Sequence, residues 1–127
     1  MSVTLLDLGN DSMEFTASVW RWKAVLEVIK SLAILSDNKV QMMSYNALGT
    51  KISAEEAHLI GEKIKETILP RLAPNKRIFA DLSITDLPDD GTFYKNENEQ
   101  WKNYSVNYQW LESFVDFCLR SNGFQIY

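Results

Sequence analysis

Ser53-Ala54-Glu55-Glu56 is the segment that most restricts how this chain can fold. The Ser53 hydroxyl can accept the Glu56 amide proton while the Glu56 carboxylate reaches back to the Ser53 amide, a reciprocal capping box that fixes a helix N-terminus. Two acids in the first turn also suit the positive end of the helix dipole. Ala57, Ile60, Gly61, Ile64 and Ile68 then recur at three- and four-residue spacing on one face, and Pro70 and Pro74 bound the end. Gly61 in mid-helix costs about 1 kcal/mol relative to alanine, which predicts close approach of another helix there.

Two more helices follow from the same periodicity. One runs from about Ser18 to Leu35, with Trp22, Val25, Leu26, Ile29, Leu32 and Ala33 as its apolar stripe. Lys23, Glu27 and Lys30 lie on its other side, and Ser36-Asp37-Asn38 is expected to stop it. The other runs from about Val106 to Ser121, with Leu111, Phe114, Val115 and Cys118 inside and Ser121-Asn122-Gly123 as its stop. Thr4 to Leu8, Val40 to Tyr45, Lys76 to Leu82 and Phe124 to Tyr127 have the composition of short strands or packed loops. The expected fold is mainly α, with α+β as the alternative. Three main helices surround one core with room for a small sheet or hairpin, in a single domain over residues 1–127.

Composition narrows the function classes. With 13 Lys plus Arg against 17 Asp plus Glu the formal charge is −4, which excludes a strongly basic nucleic-acid binder. A single cysteine forms no internal disulfide, no apolar run approaches the roughly 20 residues that span a bilayer, and the first residues do not look like a secretory signal. A cytoplasmic protein with neither a nucleic-acid nor a membrane partner is expected. The charge is unevenly placed. Asp86 to Lys102 holds five acids and two bases, a local charge of −3, so the rest of the chain is nearly neutral.

Few residue patterns carry chemistry. His58, the only histidine, precedes Glu62 by one helical turn, and such a pair could serve as a general base. A solvated helix surface explains the same spacing without any function. Cys118 falls on a core face with no local base. Nucleophile-elbow, phosphate-loop and dinucleotide patterns are absent from the sequence. A calcium loop over 86–97 would have Asp90, Gly91 and Glu97 in register, but Pro88 occupies a ligand position. No catalytic residue, cofactor or metal ligand is therefore assigned, and an enzyme working through carboxylates or through His58 and Glu62 remains an alternative. The favoured site is the acidic segment and its flanking aromatics. Asp89, Asp90, Glu97 and Glu99 would steer a cationic protein partner, with Trp101 and Tyr104 as anchors.

Three segments together resemble a known pattern. They are Trp20-x-Trp22-x-x-Val25-Leu26, then Tyr45-Asn46-x-x-Gly49-x-x-Ile52-Ser53-x-Glu55-Glu56-Ala57, then Phe114-x-x-Phe117-Cys118-x-x-Ser121-x-Gly123-Phe124-x-Ile126. Their order resembles a family of small uncharacterised bacterial proteins with a Trp-rich first helix, an Asn-x-x-Gly turn before a capped helix, and a Gly-Phe-x-Ile tail. Over Ser36 to Gln41 the chain departs from that family's Gly-Trp-x-Pro-type segment, having neither Trp nor Pro. The resemblance implies no established activity. By analogy it implies a non-catalytic binding module, with an immunity or accessory role for a basic partner.

Overall fold

The computed structural model describes residues 2–9, 13–45, 49–72, 74, 76–85 and 104–127. Strands β1 (Ser2–Asp7) and β2 (Glu14–Ser18) lead into helices α1 (Val19–Ser31) and α2 (Asp37–Met43). Strand β3 (Lys51–Ser53) precedes α3 (Ala54–Lys63), which continues through a π-helical turn (Ile64–Ile68) into α4 (Leu69–Leu72). Strands β4 (Arg77–Phe79), β5 (Ile84–Thr85) and β6 (Ser105–Asn107) come next, followed by α5 (Tyr108–Arg120) and β7 (Gly123–Ile126).

The expectation of a mainly α fold with three main helices is corrected. The described residues form an α+β structure with four helical rods, α3 to α4 being one of them, and seven strands in two antiparallel sheets. The larger sheet has the order β2-β1-β7-β3 and the smaller the order β5-β4-β6. The strands are two to six residues long, too short for alternation to stand out along the chain.

One face of the larger sheet is apolar. Val3, Leu5, Ala17, Ile52, Phe124 and Ile126 are buried on it, in register through pairs such as Val3 with Ala17 and Ile52 with Phe124. Helix α5 packs its aromatic face there. Phe117 lies 5.7 Å from Phe124, and Phe15 of β2 meets Phe114 at 5.8 Å and Trp110 at 5.2 Å. Trp110, out of phase with the helix stripe, thus stacks on Phe114 in this cluster. Helix α3 crosses α5 where expected. A Cβ on Gly61 would sit 3.0 Å from Leu119 Cδ2 and 3.1 Å from Cys118 Cβ.

The capping box forms as the sequence predicts, with both the Ser53 and the Glu56 bonds in place. Glu56 also anchors α2, because Lys39 of that helix donates to both its oxygens at 2.8 and 2.9 Å. Burial alone would raise the Glu56 carboxyl, but Lys39 and the Ser53 amide together hold it below its ordinary value. Other boundaries differ from expectation. Helix α1 ends at Ser31 because Ala33 takes a left-handed φ of 57°. Ser36 then caps a new helix by accepting from the Lys39 amide, so Val40 to Met43 is helical and not β-like. Pro70 does not end its helix. Proline has no amide proton to donate and its ring crowds the carbonyl one turn back, and the backbone before it widens into the π turn.

The ends of the chain meet at Asp7, which is 3% exposed. Its carboxylate accepts from the Ser121 hydroxyl and the Asn122 amide at 2.8 Å each, from the Gly9 amide at 3.0 Å and from the Asn122 side chain at 3.3 Å. Burial alone would raise this carboxyl. The Asn122 amide, the Ser121 hydroxyl and the other donors outweigh it and hold the group below its ordinary value. A depressed carboxylate stabilises the fold above its unfolded value and loses that contribution as pH falls through the folded one. Replacing Asp7 by Asn is expected to cost about 2–4 kcal/mol at pH 7. Urea denaturation at a series of pH values should show this gap close below about pH 4. A gap that stays constant from pH 7 to pH 2 would contradict the charge-based account.

Candidate functional site

The candidate site forms where the two sheets flank α1. Strand β6 pairs with β4 through Phe79 and Ser105, and the Tyr104 carbonyl accepts from the Ala80 amide at 3.1 Å. These bonds fix the backbone at Tyr104 as α1 passes beside β6. The ring of Tyr104 stacks on Trp20, with centroids 5.2 Å apart and planes 28° apart. Trp20 is available for this contact because it is out of phase with the stripe that buries Trp22. Trp22 itself is 2% exposed and donates its indole N–H to the Met43 carbonyl at 3.0 Å.

Around the stacked pair lies a groove of about 250 Å³, walled by Val3, Val19, Trp22, Leu26 and Lys23. A second groove of about 240 Å³ continues between α1 and α2. The two share Lys23, Leu26 and Ser44, so they adjoin along α1 as an aromatic end and a polar end. At the polar end Lys30 and Asp37 join Glu27, which pairs with Lys23 at 3.8 Å. The cleft offers apolar surface and a few polar contacts, which suits recognition better than bond making.

Of the six residues predicted to bind a partner, the structure places Tyr104 in this cleft. Asp89, Asp90, Glu97, Glu99 and Trp101 lie outside the described residues, as does the calcium pattern over 86–97. The sequence pattern alone did not mark Trp20 as the ring opposite Tyr104. The usable signal was its place two residues before the in-phase Trp22, on a different side of the helix.

The alternative catalytic groups are not joined to one another. His58 Nε2 lies 3.0 Å from the Ser121 carbonyl, and no bond or ion pair joins His58 to the exposed Glu62. Cys118 is fully buried, and burial pushes its thiol up, away from the reactive thiolate. Among the described residues no group of three or more His, Cys, Asp or Glu side chains could hold a metal ion, and no helix is long and apolar enough to cross a membrane. Compared with protein-family models, curated proteins and solved structures, the chain matches none.

The two tryptophans should respond differently to removal. Trp22→Ala empties a core position and is expected to cost about 3–5 kcal/mol. Trp20→Ala removes a half-buried ring with its stack on Tyr104, and is expected to cost about 1–2 kcal/mol. Urea melts of the two variants measure both. Equal losses would place Trp20 in the core and remove the cleft as a surface site.

Proposed function

We propose that this protein is a non-catalytic protein-binding module whose cleft beside α1 receives an apolar anchor from a basic partner. An immunity or accessory role is the form that fits best. The observation that carries the reading is the Trp20–Tyr104 stack at the mouth of an apolar cleft. In the sequence, Tyr104 lies two residues after the segment of local charge −3. Aromatic anchors supply most of the binding energy at interfaces, while surrounding charge sets the encounter rate and excludes wrong partners. The same acids disfavour a polynucleotide, whose phosphates they repel. These residues support a binding module, and the immunity or accessory role comes from the analogy with small bacterial proteins alone.

The experiment is a capture of partners from source cells by the wild-type protein, identified by mass spectrometry and followed by binding kinetics. A basic protein is expected. Neutralising Asp89, Asp90, Glu97 and Glu99 to their amides should slow association about tenfold at low salt, with the difference vanishing at high salt. Trp20→Ala with Tyr104→Ala should speed dissociation by at least about tenfold. An acidic partner, or kinetics that neither set of changes alters, would refute the proposal.

A further inference from the structure

The π turn has a consequence at a second groove, which shares no lining residue with the cleft beside α1. At Gly61 the rods α3 and α5 are in contact, since a Cβ there would meet Leu119 at 3.0 Å. One turn further on, the backbone widens to accommodate Pro70, with the Leu69 amide donating to the Ile64 carbonyl. A groove of about 430 Å³ lies there between the π turn and α5. That volume lies in the range of small-molecule sites, and π turns recur at functional positions. Its floor is nearly dry, Leu69 being 7% and Val115 4% exposed, and the Tyr108 ring lines one side.

Charge decides what would fit. Lys65 lines one wall and Glu112 the other. Among the described residues neither has an ion-pair partner, whereas Asp116 beside them is matched by Arg120 at 2.9 Å. The Tyr108 hydroxyl has no hydrogen-bond partner among the described residues. A neutral apolar ligand would leave both exposed charges unmatched. A ligand of one charge would meet a like charge in the same groove. A ligand carrying both signs on an apolar body satisfies both walls.

We propose that this groove binds a small zwitterion with a large apolar side chain, an aromatic amino acid or a dipeptide. Its carboxylate faces Lys65 and the Tyr108 hydroxyl, its ammonium faces Glu112, and its side chain lies on Leu69 and Val115. Lys65 and Glu112 are both exposed, so their contribution is modest and the expected dissociation constant is about 0.1–5 mM.

The test is chemical-shift titration of the full chain with phenylalanine, phenethylamine, 3-phenylpropionate and N-acetylphenylalanine amide. Saturable shifts are expected for phenylalanine at Leu69, Tyr108 and Val115. The three analogues should bind at least about threefold more weakly. Lys65→Met should weaken phenylalanine about threefold to fivefold without weakening phenethylamine, and Glu112→Gln should weaken phenylalanine by a similar factor without weakening 3-phenylpropionate. Both sites are exposed, and an unchanged amide spectrum checks that each variant folds. Absence of saturation at about 20-fold over the expected range, shifts confined to other surfaces, or equal affinity for the singly charged and neutral analogues would overturn the proposal.

Discussion

The Asp7 carboxylate is the interaction on which the rest of this structure depends. It joins residues 114 and 115 positions apart, tying the end of the first strand to the turn that follows α5. That turn delivers β7 to the position between β1 and β3. Gly123 opens β7 with a φ of 92°, where an added Cβ would meet the Ile52 carbonyl at 2.6 Å, so the turn admits little besides glycine. A buried carboxylate is costly unless every lone pair finds a donor. Here the donors come from Gly9 just after β1 and from Ser121 and Asn122 just before β7, the two inner strands of the sheet, so the charge is tolerated only when those strands are paired.

From that junction the rest of the architecture follows. With β7 in place, Phe124 and Ile126 complete the apolar sheet face, and α5 lies over it through Phe114 and Phe117. Helix α5 then sets the position of α3 through Gly61. On the far side, β6 leads into α5 through Asn107, whose side chain caps the helix at the Trp110 amide. The placement of β6 is also what brings Tyr104 to Trp20. The cleft beside α1 takes Tyr104 from the segment that leads into α5, and the groove at the π turn is lined by α5 itself.

What was legible in the sequence was local. The capping box, the stripe from Trp22 to Ile29 and the close approach at Gly61 depend on residues within a turn or two of each other and stand as the pattern implied, while Leu32 and Ala33, read as part of that stripe, fall beyond the helix end. What was not legible was set by distance or by competition. The pairing of β1 with β7 links the two ends of the chain, and no local pattern announces it. Ser36 has the chemistry of a stop and of a cap, and only the Lys39 bond to Glu56 shows why the second prevails. Asp7 reads as an ordinary strand-end acid until its partners near residue 121 are in view. At the site, Tyr104 was legible as an aromatic beside acids. Trp20 was not, because its role depends on a strand more than 80 residues downstream (β6, Ser105–Asn107).

Hydrogen exchange measured residue by residue tests most directly whether the Asp7 junction makes the C-terminal strand part of the global core. The amides of Asn122, Ile126 and Tyr127 bond to Asp7, Thr50 and Thr4 respectively. If the junction governs the fold, all three exchange only through global unfolding, with the same free energy that denaturant melts give and the same as Leu111 in α5. Exchange of these three amides by local fraying, at a free energy well below that of Leu111, would contradict the account.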